Sequence, residues 1–125
     1  MIVSEQEIFE LKKFILQLNE MKDSVVIVEG KKDSGALKKI GFTGKVLEFH
    51  KFGGMIDFTD SVSKYKRLII LFDRDKKGRT LTGKTIQLLQ RRTKIDLSFK
   101  RKLREITNGK IKFIEQLVCY ESYLA

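Results

Sequence analysis

Val25-Val26-Ile27-Val28-Glu29-Gly30 and Leu68-Ile69-Ile70-Leu71-Phe72-Asp73-Arg74-Asp75 share one design, an unbroken apolar run that stops abruptly on acid. Alternating strands with one wet face would place a polar residue at every second position. Continuous runs of β-branched and bulky residues bounded by polar ones instead mark strands covered on both sides, the pattern of a parallel sheet. Parallel neighbours need crossovers, and the flanking sequence supplies them.

Outward from these runs, Ser4-Glu5-Gln6-Glu7 reads as a capping box, and Ile8, Leu11, Phe14, Ile15 and Leu18 recur at helical spacing, predicting a helix over about 5–20. Asp33-Ser34 is expected to cap a short helix through Ala36, Leu37 and Ile40 that Gly41 ends. Lys45 to Phe49 reads as a second strand, Phe52-Gly53-Gly54 as a loop and Met55 to Tyr65 as a helix. Leu81, Thr85, Leu88 and Leu89 predict a helix from Arg79 to Arg92. A further helix runs from Ser98 to Thr107 and ends at Asn108-Gly109, and Ile111 to Ile114 is expected to be the fourth strand. A C-terminal helix carries Leu117, Val118 and Leu124. The expected architecture is α/β: a mainly parallel sheet of about four strands with right-handed crossovers and helices on both faces. With 125 residues, 42% of them hydrophobic, the chain suits one domain, residues 1–125, on which the segment 1–22 packs.

The net charge of +10 is unevenly spread. Residues 76–112 contain thirteen Lys or Arg against Asp96 and Glu105, a surplus of +11 that leaves −1 for the rest. Such a block favours a polyanion, held largely through counterion release. It lacks a wide apolar stripe, which argues against a membrane partner. Met1 to Glu10 carries Glu5, Glu7 and Glu10 rather than a basic stretch followed by an apolar core, so a cytoplasmic location is expected. One cysteine, Cys119, supports neither a disulfide nor a cysteine zinc site and is expected to be buried. Tyr65, Tyr120 and Tyr123 read as packing residues, and His50 as an ordinary loop or strand-end histidine rather than a ligand.

The chemistry is expected where strands end, because ligands of open parallel sheets bind at the carboxyl edge. Glu29-Gly30 leaves the first strand there and Asp73-Arg74-Asp75 the third. In extended chain Asp73 and Asp75 face one side while Arg74 faces elsewhere. The three gathered carboxylates, Glu29, Asp73 and Asp75, repel unless they bind a cation among them, and Mg2+ suits a few carboxylates plus phosphate, with Mn2+ able to replace it. Around the acids stand Lys31, Lys32, Lys76, Lys77 and Arg79 as candidate polyanion contacts. Arg74, Lys84, Arg91, Lys100 and Arg101 extend that set.

These two motifs resemble those of the Toprim family: Val25 to Asp33 is similar to its first motif, an apolar strand followed by Glu-Gly and a downstream Asp, and Leu68 to Asp75 to its Asp-x-Asp motif. The likeness spans roughly 24–115, with Gly53 or Gly54 matching the glycine after the second strand. It implies a Rossmann-like Toprim fold, Glu29 as general acid or base, Asp73 and Asp75 as magnesium ligands, and Asp33 with Gly30, Gly53 and Gly54 in support. Glu29-Gly30-Lys31-Lys32-Asp33 and the stretch 73–79 most resemble the small nuclease that matures 5S ribosomal RNA, and also the Toprim domain of bacterial-type primases. Lys77 stands where type IA topoisomerases carry a further acid, and the chain lacks the zinc-binding region of a primase. The resemblance therefore implies a magnesium-dependent nuclease acting on nucleic acid, RNA rather than DNA, with a protein or ribonucleoprotein partner. The alternative is a non-catalytic RNA- or DNA-binding module.

Overall fold

The computed structural model describes residues 2–124. Its elements, in chain order, are α1 (Glu5–Glu20), β1 (Ser24–Val28), α2 (Lys31–Lys39), β2 (Val46–Glu48), α3 (Met55–Val62), β3 (Arg67–Ile70), α4 (Lys76–Leu89), β4 (Lys94–Asp96), α5 (Ser98–Ile106) and α6 (Glu121–Leu124), with 3-10 turns at Phe49–Lys51 and Ile114–Tyr120. The four strands form one sheet in the order β2-β1-β3-β4, and every pair is parallel.

The two apolar runs are the two central strands, and their alternation builds two cores. Val26, Val28, Ile69 and Leu71 face a layer made of α1, α2, α5 and the C-terminal segment. Val25, Ile27, Leu68, Ile70 and Phe72 face α3 and α4. All nine are buried, as strands covered on both faces must be. Within the first layer Phe14 of α1 meets Phe99 of α5 edge-on, ring centroids 5.7 Å apart.

Several sequence expectations need correction. Ile111 to Ile114 is not a strand, and the fourth strand is Lys94–Asp96. With Ile95 as its one apolar residue, that edge strand gives no periodic signal. Arg67 bonds buried Asp96 at 2.7 Å, which neutralises the acid between the strands. Ile111 and Ile114 are buried, but in the layer over the sheet. Helix α2 starts at Lys31 because Gly30 is its N-cap and Asp33 folds back to accept the Gly30 N–H at 3.0 Å. Helix α4 starts at Lys76 because the Asp75 carboxylate caps it, and Leu88 lies exposed beside the inward Leu81, Thr85 and Leu89. Cys119 is exposed: the three-residue period of the 3-10 turn sends Ile114, Leu117 and Tyr120 inward instead. Tyr123 is exposed as well.

The chain's two ends are tied by a buried acid. Glu7 of α1 accepts from Lys110 Nζ at 2.8 Å and from the Tyr120 hydroxyl. Burial by itself would raise the Glu7 carboxyl, but its bonds to Lys110 and Tyr120 and the Lys110 charge bring it below its ordinary value of 4.5. Glu7→Gln is therefore expected to cost about 3 kcal/mol at pH 7, read from the urea midpoint at unchanged slope. A depressed carboxylate stabilises the fold above its unfolded value and loses that contribution as pH falls through the folded one. The gap between wild type and variant should narrow as the pH falls below the ordinary value of 4.5, and a constant gap would assign the loss to packing.

Candidate metal and phosphate site

Strand register brings the acids together. β1 and β3 pair from Ser24↔Arg67 to Ile27↔Ile70, and the ladder continues with Leu71 N–H donating to Ile27 O at 2.9 Å. One further step along each chain reaches the carboxyl edge, where the Asp73 N–H donates to Glu29 Oε2 at 2.8 Å. Asp73 Oδ1 in turn accepts from the Ile114 N–H at 2.8 Å, and the Arg74 N–H donates to Lys112 O at 2.9 Å. The segment expected to be a strand thus clamps the acidic turn from outside the sheet. Asp75 Oδ1 accepts from the Gly78 N–H at 2.8 Å, while the Arg74 guanidinium leaves on the other side toward the carbonyls of Gly109 and Ile111.

Glycine decides how close these parts approach. A Cβ on Gly78 would land on the Asp73 carbonyl oxygen, 2.7 Å from the carbonyl carbon and 3.0 Å from the Asp73 nitrogen. Only the missing side chain lets the first turn of α4 rest against the strand end. Gly54, at φ +104, caps α3, and Gly53 donates to Asp57 at 2.7 Å, so both glycines shape the start of α3.

The negative charge is crowded. Burial, then the charge and hydrogen bond of Glu29 and the charge of Asp75, push Asp73 up to about 6, against the lowering effect of the Ile114 N–H. Asp33 is raised by burial and next by Asp73, with Glu115 adding to it. Lys100 of α5 is lowered by burial and by Arg74 and Arg79, and held up by Asp73 and Glu29. It is the nearest thing to an internal counter-ion, and a single cation does not balance four carboxylates.

The donor set is all hard oxygen with surplus negative charge, which fits Mg2+ or Mn2+. Among the described residues no three His, Cys, Asp or Glu side chains already stand as a closed metal shell. The reason is visible in the bonds just given: Asp75 is turned to its cap and Glu29 to the Asp73 N–H. Asp73→Asn tests the crowding. A raised carboxyl is a liability above its unfolded value, so the metal-free protein loses stability as pH rises from about 4 to about 6. The variant, which keeps an acceptor for Ile114, should be more stable than wild type by ~1 kcal/mol at pH 7 in EDTA, the group being only partly buried and therefore screened. Calorimetry in EDTA and in Mg2+ checks this; a lower melting temperature in EDTA, or undiminished stabilisation by Mg2+, would contradict it.

The remaining sequence candidates divide by position. Lys31 and Lys32 open α2, and Lys76, Lys77 and Arg79 open α4, all exposed at the acidic edge. Lys84 lies midway along α4, and Arg91 lies past its far end, about 20 Å along the axis from Asp75. Lys100 and Arg101 approach from α5, joined by Arg104, which the sequence reading did not single out although it falls one turn after Lys100. The close approach of Gly78 to Asp73 and the clamp from the Ile114 N–H were also missed. Asp75-Lys76-Lys77-Gly78 carries the capping signal for the former, whereas nothing local announces the latter. Glu48 ends β2 at the same edge but is spent on Ser34 and His50, each at 2.8 Å, which leaves it a structural acid.

Comparison with known proteins agrees with this geometry. The Toprim domain family matches residues 24–115. A UPF0292 protein of Pyrococcus furiosus is 33% identical over 108 residues, covering 86% of this chain and 81% of its own. One from Methanosarcina acetivorans is 33% identical over 118 residues, covering 91% and 81%. The solved structure of a protein from Aquifex aeolicus superposes with a TM-score of 0.70 at 29% identity, covering 85% of this chain and 96% of that one. With both acidic motifs, the parallel order β2-β1-β3-β4 and the matched span in agreement, the chain belongs to the Toprim domain family.

Proposed function

We propose that this protein hydrolyses phosphodiester bonds of nucleic acid, structured RNA in preference to DNA, with Mg2+ or Mn2+ held by Asp73 and Asp75 and with Glu29 moving the proton. Toprim is a metal-binding fold concerned with nucleic acid, and the closer assignment rests on the site. The observation that carries it is the meeting of Glu29 and Asp73 across β1 and β3, crowded enough to hold Asp73 near 6, beside a wall of cations. When bound, the divalent ion supplies Lewis acidity toward a phosphoryl oxygen. The Asp73 N–H fixes the Glu29 carboxylate, which takes the proton of the attacking water and returns one to the leaving oxygen. The basic turns at Lys31-Lys32 and Lys76-Lys77 hold the strand by its phosphates, and the preference for RNA rests on the motif likeness at 73–79.

A second reading has its own support. Each of Glu29, Asp73 and Asp75 also makes a structural hydrogen bond, so the acids suit a fold-keeping role in an RNA-binding module, alone or within a ribonucleoprotein. No helix among the described residues is long and apolar enough to cross a membrane. Incubating end-labelled structured RNA and single-stranded DNA with the protein in Mg2+, Mn2+ or EDTA separates the readings. Cleavage in either metal and none in EDTA is expected. A protein inert on a broad panel, yet binding RNA in EDTA with a steep salt dependence, is a binding module.

A further inference from the structure

A half-enclosed cavity of about 300 Å³ is lined by Arg74, Arg79, Lys100, Arg101 and Arg104, and through Lys100 it lies within electrostatic reach of Asp73 and Glu29. Three elements build it: the turn after β3 gives Arg74, the first turns of α4 give Arg79, and α5 gives the rest. On α5 the apolar Phe99 and Leu103 are buried in the core, so Lys100, Arg101 and Arg104 point outward together. Among the described residues none of the five is in an ion pair.

Their bonds orient them without neutralising them. Arg74 Nη1 donates to Ile111 O at 3.2 Å, and Arg79 Nη1 donates to Arg74 O at 3.1 Å. Backbone carbonyls thereby fix two guanidinium planes and leave further N–H groups turned to the cavity. Lys100 spans the boundary, feeling Asp73 and Glu29 from one side and Arg74 and Arg79 from the other. Five cations around one concavity repel each other unless an anion of high charge sits among them. An internal phosphodiester brings one negative charge and two ester arms that must leave the cavity. A terminal phosphate brings up to two charges and one arm, and a triphosphate more, which matches both the charge and the enclosure.

We infer that this cavity is a subsite for the terminal phosphate of a nucleic-acid strand, placing a strand end beside the carboxylate centre. The inference deepens the proposed hydrolase and rests on nucleic acid being its substrate. It makes the enzyme end-directed, trimming from or near a phosphorylated terminus rather than cutting within a duplex.

Binding measured in EDTA tests the subsite apart from catalysis. Oligoribonucleotides of one sequence carrying a 5′-triphosphate, 5′-monophosphate, 3′-phosphate or only hydroxyl ends are titrated by fluorescence anisotropy at fixed salt. At least one phosphate-ended form should bind about tenfold or more tightly than the hydroxyl form, the discrimination that a charge-assisted hydrogen bond supplies. Inorganic tripolyphosphate should compete with that form. Arg101→Gln/Arg104→Gln, both exposed, should erase the difference between ends, whereas the charge-matched control Lys12→Gln/Lys13→Gln on α1 keeps it. Equal affinity for all ends, or a difference that survives in the arginine double variant, overturns the inference. A protein that cleaves in Mg2+ without distinguishing ends loses only the subsite, and one that distinguishes ends but never cleaves loses only the hydrolase.

Discussion

Glu29→Gln is expected to lower metal-dependent cleavage by about 10²–10⁴-fold, the usual contribution of a positioned general acid or base. The substitution is close to isosteric, and the amide oxygen can still accept the Asp73 N–H that now bonds Oε2 at 2.8 Å. The turn should therefore stay in place. What disappears is a negative charge and a group able to carry a proton. RNA affinity in EDTA, set by the cationic wall, should change little, and removal of one carboxylate should favour the polyanion slightly. Single-turnover cleavage with enzyme in excess, compared with anisotropy on the same substrate, separates the two effects. Loss of both in parallel would mean that the variant has lost the fold, and unchanged cleavage would remove Glu29 from the chemistry.

Gly78→Ala is expected to destabilise the protein by ~3 kcal/mol and to abolish divalent binding with it. Alanine should favour an isolated helix over glycine by about 1 kcal/mol, so propensity points the other way. The steric term wins, because the new methyl would sit on backbone atoms of Asp73 that have no side chain to rotate away. Relief requires α4 to withdraw from the strand end, which breaks the Gly78 N–H bond to Asp75 and shifts the turn on which Asp73 and Asp75 are mounted. Gly83 provides the internal control: it lies in the same helix, and a methyl added there would meet nothing within 4 Å. Gly83→Ala should stabilise by about 0.5–1 kcal/mol. Urea denaturation of both, with Mn2+ titration by calorimetry, reads the contrast; two alanine variants of similar stability and metal affinity would contradict the close-approach argument.

The site is thus at once a fold element and a reactive cluster. Asp75 caps α4, Asp73 receives the C-terminal segment and Glu29 closes the ladder between the central strands. Substitutions here report on chemistry only when stability is measured beside activity.

The local grammar of the chain determined α1, the two central strands and the acids that end them. Ser4 caps α1 by accepting the Glu7 N–H, although the Glu7 carboxylate turns to Lys110 and Tyr120 and leaves the capping box half-formed, and the unbroken runs at 25–28 and 68–72 are buried on both faces. These features depend on neighbours a few positions apart, which hydrophobic periodicity and capping chemistry record directly. Lys94–Asp96 became the fourth strand instead of Ile111–Ile114 because an edge strand needs only one open ladder and a compensated acid, here Asp96 against Arg67, whereas the stronger apolar pattern was claimed by the layer above the sheet. The contact of Glu29 with Asp73, the clamp from Ile114 and the convergence of Arg74, Arg79 and α5 on one cavity were likewise decided by tertiary structure. Each joins residues distant in the chain, and such pairings follow from strand order and register, which packing of the whole sheet selects and no local window contains.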